Sequence, residues 1–549
     1  MGGWVGGRIP SSRFPLGSPR VRSIAALPSL PCPPMPERLN VLLIGGGGRE
    51  HALAIALKRS PRLAALYTTH PENPGLAALA APVDVPVSAR ELYRLQQFCL
   101  KKSIDLVVIG PEDPLADGYA DKLASPEAGS PMVFGPTRQA AQIEADKAWS
   151  KQLMRSASVP TAESRSFSDH EAARQYIESR AHDDEHLRVI LERFAALRDP
   201  ARRRYAIDAM LRVGRAVADK KPFANADLNV LKDTGTFRTP GADPSPILAE
   251  AASLWKLWTL KRQDLPVIKA SGLARGKGVI LPDSLLHAFD AIDDIMVRKS
   301  FGDAGRTVLV EERLEGPEVS VLALVDGRSI LVLPPCKDHK RLGNRDTGPN
   351  TGGMGATCPT SPLSDEQMAA VEAEILVPTI DALRRDEIVY KGVLYAGLML
   401  THAGPKVLEF NCRFGDPECQ PLMARLTSDP IDLIEAVCTS TLDQAAERVT
   451  WDPRHACCVV LASHGYPDTP RKGDVITGLD DADALLKGRG FVAHAGTRRN
   501  ADGAIVTDGG RVLSVTALGD SPADARALAY KAADRIHFPG LQRRDDIGA

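Results

Sequence analysis

No stretch of this chain comes near the ~18–20 consecutive apolar residues that a membrane-spanning helix needs. No C-x-x-C pair occurs either, and the nine cysteines, an odd number, are scattered from Cys32 to Cys458. A disulfide framework and a structural zinc site are therefore not what organises the fold, and a reducing cytoplasm is the expected setting. Net charge is −1, so no general attraction to nucleic acid or to an anionic membrane is expected, and any grip on phosphate must be local. The phosphate-loop spacing G-x-x-x-x-G-K-[ST] is missing as well. Acidic residues are absent before Glu37, in a leader carrying Arg8, Arg13, Arg20 and Arg22 among serines and prolines. That composition suits an organelle transit peptide. Met35, just ahead of the first strand, supports the plainer reading of a start codon placed too early, and the prolines oppose an amphipathic targeting helix.

What is present is enough apolar material, 44% of 549 residues, for several cores. At roughly 100–200 residues per domain, three or four domains are expected. Apolar runs at Val41–Ile44, Leu63–Thr68, Ile104–Ile109 and Met132–Phe134 alternate with helical segments, which predicts a parallel sheet covered on both faces up to about residue 160. Residues 181–264 interrupt the pattern: their first half is helical and basic (Arg202, Arg203, Arg204), their second rich in Gly, Pro and Thr. Strand character returns at Val267–Ala270, Thr307–Glu312, Glu318–Val325, Tyr395–Leu400 and Lys406–Phe410, and a last α+β module begins near Trp451.

Gly45–Gly48 lies between a strand and a helix, where backbone N–H groups and the helix dipole favour an anion, with Arg49 beside it. Taken alone, the loop serves a tight structural turn equally well. A dinucleotide site would need a third glycine where His51 stands and an acid where the second strand ends Thr68-Thr69-His70, so nicotinamide fits poorly. A second loop, Gly272–Gly278, follows the strand carrying Lys269 and contains Gly276, Lys277 and Gly278. A glycine loop over a triphosphate with a strand lysine beneath it is one way to hold ATP, though a surface hairpin reads the same. Glu409 and Asn411, two apart on a strand, offer oxygen ligands of the kind Mg²⁺ takes, and Glu311, Glu312 and Glu318 offer further polar contacts; single strand-end acids are also often merely solvated. Asp338–Arg341, Asp346–Gly355 and Asn411–Glu418 are polar and glycine-rich together, which marks binding loops rather than core, with Arg413 suited to a bidentate grip on carboxylate or phosphate.

With Gly45–His51, Asp338–Arg341, Asp346–Ala356 and Glu409–Glu418 the chain resembles the phosphoribosylamine–glycine ligases, or glycinamide ribonucleotide synthetases, of the ATP-grasp superfamily, over about residues 39–180 and 265–547. The resemblance implies an α/β multidomain chain: an ATP-grasp fold with an N-terminal Rossmann-like (pre-ATP-grasp) domain and a C-terminal α+β domain. The expected bounds are a leader at 1–38, the Rossmann-like domain at 39–160, a small lobe at 161–313 with the insertion at about 181–264, a large lobe at 314–448 and the last domain at 449–549. It implies joining of glycine to 5-phosphoribosylamine at the expense of ATP, through glycyl phosphate, in purine biosynthesis, with Mg²⁺ or Mn²⁺. Carried over residue by residue, Lys147, Lys269, Gly276, Lys277, Gly278, Glu311, Glu312 and Glu318 hold ATP, and Glu409 and Asn411 hold the metal. Gly47, Gly48, Arg49, Glu50, Asn350, Thr351, Gly352 and Asp416 line the substrates, with Asp338, Lys340 and Arg413 at the chemistry. Small-molecule partners only are implied; a monomer and a transient hand-over of the amine from the preceding enzyme are compatible with the resemblance, and the sequence settles neither.

Three features depart from the family: Ser271 stands where Asp is usual, Cys336 and Lys337 replace small or amide residues, and the 181–264 insertion interrupts a nearly continuous segment. Loop extensions cost little entropy, so the fold tolerates one; a lineage-specific helical module and retained untranslated sequence are the other readings. The rival functions are another ATP-grasp ligase, which would lack the Asp338–Ala356 pattern, a non-catalytic nucleotide sensor, which would have lost Glu409 or Asn411, and a dehydrogenase.

Overall fold

The computed structural model describes residues 21–23, 36–180, 192–234, 237, 243–259, 265–274, 277–360 and 363–549. Two compact units emerge. The first runs to Ala145, resumes over Trp149–Thr161 and then spans Glu315–Ala549; the second comprises Asp146–Ala148 and Ala162–Leu314. Among the described residues no helix is long and apolar enough to cross a membrane.

In the first unit, five parallel strands lie in the order Ala81–Pro82, Leu63–Thr68, Leu39–Ile44, Leu106–Ile109, Met132–Phe134. Val41–Ile44 is buried on both faces, as a continuous apolar run in a covered parallel sheet must be. Strand order reverses between Leu39–Ile44 and Leu106–Ile109, and at such a switch point the carboxyl ends open a crevice for ligands. Gly45–Gly48 and Gly110 occupy that end. The helix Gly48–Leu57 starts there, and Glu50 reaches back to accept from the Gly47 N–H at 2.6 Å, capping it.

A second, antiparallel sheet contains Ser329–Val332, Glu318–Asp326, Lys391–Thr401 and Gly404–Asn411, with Val21–Ser23 of the leader paired along its edge. The third joins chain segments far apart in sequence: Lys337–Asp338 and Gly355–Cys358 pair onto the C-terminal strands His455–Ala462, Arg511–Gly519 and Gly490–His494. The polar, glycine-rich loop is therefore rooted in the C-terminal sheet.

The second unit has one antiparallel sheet, ordered Ser164–Phe167, Val308–Glu311, Val267–Ala270, Val279–Ile280. Three helices from the insertion region, Pro200–Ala218, Asn225–Asp233 and Ser245–Trp258, pack against it and against Leu285–Met296. The last of them falls in the half of the insertion that is rich in Gly, Pro and Thr. Met210, Leu254 and Trp258 share one core with Ile268, Phe289 and Val310, and the Trp258 ring stacks on Phe289 at 5.4 Å. Two of the helices touch backbone to backbone: a Cβ at Gly214 would collide with the Ala251 carbonyl oxygen. Gly214→Val is expected to lower the stability of this unit by about 1–3 kcal/mol, the usual cost of overpacking, and urea unfolding of the variant measures it. An unchanged midpoint would mean that these helices do not pack as described.

Candidate active site

Asp338 is held in the first unit by the two-residue strand Lys337–Asp338, and its carboxylate Oδ1 is buried with no hydrogen-bond partner. Burial, and then Glu418, push its pKa well above the carboxylate range, against Lys340 and Arg511. Gly353, with φ +113°, lets the returning loop cross this carboxylate: a Cβ there would sit 2.7 Å from Asp338 Oδ1 and 2.5 Å from Pro417 Cδ. Thr351 ties the loop back, donating from N and from Oγ1 to the Lys340 carbonyl at 2.8 Å each. Asn350 lies half-buried opposite Arg341 in the short hairpin.

The Lys340 ammonium lies 3.4 Å from Glu318 and 3.9 Å from Glu409. Burial pulls its pKa down, but Glu318, Tyr395, Glu409 and Asp338 outweigh this and hold it well above that of an ordinary lysine. A register shift between Gly397 and Leu398 bulges the Gly404–Asn411 strand just before Glu409, re-aiming that end of it. Glu409 is half-exposed, Asn411 is buried, and Phe410 between them points into the core. A carboxylate and an amide oxygen are hard donors and fit Mg²⁺, which keeps several waters and phosphate oxygens rather than a protein cage. Among the described residues there is no cluster of three or more His, Cys, Asp or Glu placed to hold a metal.

Around Gly45–Gly48 the side chains interlock. Arg49 is buried, its Nε 2.6 Å from Glu50 Oε1, and its Nη1 donates to the Phe414 carbonyl at 2.9 Å. Arg413 is half-buried, and its guanidinium is already shared between Glu112 (3.1 Å) and Glu144 (2.8 Å), and it also donates to Asn411 Oδ1 at 3.2 Å. Against burial, which raises it, Arg413 and Arg49 bring the Glu112 carboxyl down to about 2. The structure therefore gives Arg413 a tie behind the loop and not an open bidentate grip.

Two partners escaped the sequence reading. Arg511, far along the chain, donates to the Gly352 carbonyl at 2.7 Å, the Asp416 carbonyl at 2.5 Å and Asp416 Oδ2 at 3.1 Å. Gln420 donates to Asp416 Oδ1 at 2.7 Å while its own buried Oε1 has no partner, and a Cβ at Gly48 would sit 2.9 Å from its Nε2. Only a +4 spacing from Asp416 on the following helix could have flagged Gln420; nothing local flags Arg511.

In the second unit, Lys269 and Glu311 form an ion pair at 2.9 Å with side chains 6% and 2% exposed. Val267–Ala270 and Val308–Glu311 are neighbouring strands, which sets the two residues on one face. Lys147 donates from Nζ to the Gly272 carbonyl at 3.2 Å and from its backbone to Ser271 O at 2.9 Å. Ser271 Oγ donates to Asp146 at 2.7 Å and accepts from Ala148 N at 3.1 Å, so the unusual serine anchors the segment bearing Lys147. Lys277 N donates to the Ala274 carbonyl, and Gly278 O accepts from Ala270 N. Glu312 N donates to Glu163 O at 2.8 Å. Gly276 lies outside the described residues. Glu318 belongs to the first unit.

His51, which replaces the third glycine of a dinucleotide loop, packs beneath Gly75 and accepts from the His494 N–H at 2.8 Å. Burial, then His494, brings His51 down to about 3; burial, then Arg499, brings His494 to about 4. Both values lie below the ordinary 6.5, so the unfolded chain binds more protons. Their stabilising effect is complete above about pH 6.5, fades as pH falls and is gone near 3. The urea midpoint is expected to drop through that window, and less steeply in His51→Gln; equal slopes would contradict the assignment.

The Phosphoribosylglycinamide synthetase N-domain family model matches residues 39–144, the ATP-grasp (A) domain model 244–419, and the C-domain model 456–549. A phosphoribosylamine–glycine ligase of Rhodopirellula baltica is 41% identical over 511 residues, covering 93% of this chain and 97% of its own length. One from Xanthomonas axonopodis pv. citri is 38% identical with the same coverage of both. The crystal structure of a phosphoribosylamine–glycine ligase from Thermotoga maritima superposes with a TM-score of 0.62 at 26% identity, over 93% of this chain and 100% of that one. A biotin carboxylase domain from Hydrogenobacter thermophilus, 13% identical with a TM-score of 0.57 over 92% of both chains, shares the fold. The chain therefore belongs to the phosphoribosylamine–glycine ligase family of ATP-grasp carbon–nitrogen ligases.

Proposed function

We propose that this chain joins glycine to 5-phosphoribosylamine, giving glycinamide ribonucleotide, ADP and phosphate by way of glycyl phosphate. The observation that carries the reading is the buried, unpartnered Asp338 oxygen beside Lys340, Glu318 and Glu409, with the Gly352–Gly353 turn folded over it. A carboxylate is a poor electrophile; phosphorylation gives it a leaving group. Lys147, Lys269 and Lys277, with the backbone of Gly276 and Gly278, bind the ATP phosphates, and Glu312 and Glu318 bind adenine and ribose, while Glu311 fixes Lys269 in place. Glu409 and Asn411 would hold Mg²⁺ (or Mn²⁺), which would supply neutralisation of phosphate charge when bound.

A glycine carboxylate oxygen bonds to the γ-phosphorus as the bond to ADP breaks, and Lys340 balances the charge beside it. The amine then attacks the glycyl carbonyl carbon, phosphate leaves, and the Asp338 carboxylate takes the amine proton. Gly47, Gly48, Arg49, Glu50, Asn350, Thr351, Gly352 and Asp416 position the substrates, and Arg413 acts as a positioning residue through Asn411. The reading keeps the expected domain bounds as a proposal, with the segment Asp146–Ala148 counted with the small lobe and the loop between residues 338 and 356 working with the C-terminal domain whose sheet it joins. Soluble substrates and the free thiols of the described cysteines suit a single chain working in the cytoplasm.

ADP release by the purified chain tests this, with phosphoribosylamine generated in place. Release is expected only with Mg²⁺, glycine and the amine together. Release independent of the amine would overturn the assigned acceptor.

A further inference from the structure

Cys336 and Cys358 flank the substrate loop on facing strands. The register pairs Lys337 with Thr357 and Asp338 with Ala356, so one step back sets Cys336 opposite Cys358. Cys336 spends both its backbone groups on Ser320, at 2.9 and 2.8 Å, which makes its facing position toward Cys358 a non-hydrogen-bonded one. Opposed Cα atoms at such positions are about 4.5 Å apart, within the span of about 4.4–6.8 Å that disulfides accept. Both side chains are fully buried and both sulfurs approach the same carbonyl, Pro334 O, at 3.7 and 3.9 Å. Arg425 Nη1 lies 3.4 Å from Cys358 Sγ, its other nitrogens being bonded to the Arg454 and Asp452 carbonyls.

We propose that Cys336 and Cys358 are a redox-active dithiol, which a hydroperoxide converts reversibly to a cross-strand disulfide that closes a covalent ring around the substrate loop. The nucleophile is Cys358. Burial raises its pKa, but the Cys336 hydrogen bond and the Arg425 guanidinium outweigh that and bring it below the ordinary thiol value, whereas burial and Cys358 raise Cys336. Thiolate sulfur attacks a peroxide oxygen, the O–O bond breaks, and sulfenic acid and hydroxide form, the hydroxide taking up a proton to become water. Cys336 sulfur then attacks the sulfenic sulfur; the S–S bond forms, the S–O bond breaks, and the departing hydroxide takes the Cys336 proton as a second water. Two thiols are oxidised by two electrons and one hydroperoxide is reduced.

Burial makes the site slow and selective. Peroxide enters when the two-residue edge strand Lys337–Asp338 opens locally, and bulkier disulfides such as oxidised glutathione do not follow. The resolving thiol is already in contact, so sulfenic acid is captured before further oxidation. The link locks the strand that carries Asp338, two residues on, to the far end of the loop that closes over it. A reacting group held off its working position loses rate steeply, on the order of 100-fold for about 1 Å, so turnover is expected to fall at least about tenfold.

Full-length protein treated with hydrogen peroxide, alkylated, digested without reductant and read by mass tests this. A linked Cys336–Cys358 peptide that dithiothreitol releases is expected, with ADP release lost and regained in step. Cys336→Ser and Cys358→Ser should keep untreated activity and lose the reversible inhibition. Both cysteines recovered alkylated after peroxide, or Cys358 recovered as sulfinic acid without a link, would overturn the proposal; the wild-type mapping decides this even if a variant misfolds. The link is read by mass whatever the chain catalyses, so its failure is distinct from failure of the ligase reading.

Discussion

Glu409→Gln is expected to lower kcat on the order of 100-fold or more at saturating Mg²⁺ while the chain stays folded, because charge neutralisation of a moving phosphoryl group is usually the largest catalytic contribution. The substitution keeps shape and hydrogen-bonding capacity. Glu409 is half-exposed at a bulged strand end, so the core beneath, Phe410 and Val407, keeps its packing. One consequence separates a metal ligand from a mere neighbour of Lys340: higher metal concentration should recover part of the loss for the ligand only. Initial rates across a Mg²⁺ titration, with thermal melts of both proteins, measure this. An unchanged kcat would remove Glu409 from the site.

Lys269→Ala is expected to act twice. It leaves the Glu311 carboxylate, 2% exposed, buried without the cation at 2.9 Å. Breaking a buried pair from one side costs about 3–5 kcal/mol. Removing a phosphate contact should also lower kcat/KM for ATP. The two effects separate in the double variant Lys269→Met with Glu311→Leu, since apolar replacement of a whole buried pair is often neutral. Stability should return in the double variant while ATP use does not. Recovery of both would make the pair purely structural.

Regular alternation made the parallel sheet legible: Val41–Ile44 and Leu106–Ile109 could hardly be anything but covered strands. The glycine-rich loops were legible for the opposite reason, having too little apolar content to be core. What stayed hidden is tertiary. Arg511 reaches Gly352 and Asp416 because strand Arg511–Gly519 lies in the sheet that roots the loop, a reach of 159 and 95 residues along the chain that no local pattern encodes. Arg413 read as an open cation because its sequence neighbours do not reveal Glu112 and Glu144, which bind it. The insertion's last helix was obscured by the Gly and Pro residues before Ser245, although Ile247, Ala251, Leu254 and Trp258 carry a helical period. Ser271 looked like a lost contact, and only its bonds to Asp146 and Ala148 give it a local purpose.

Activation of glycine through an acyl phosphate is the central claim, and turnover with glycine labelled in its carboxylate by heavy oxygen tests it most directly. One labelled oxygen per turnover should appear in the released inorganic phosphate. Phosphate released without label, while glycinamide ribonucleotide still forms, would contradict the account.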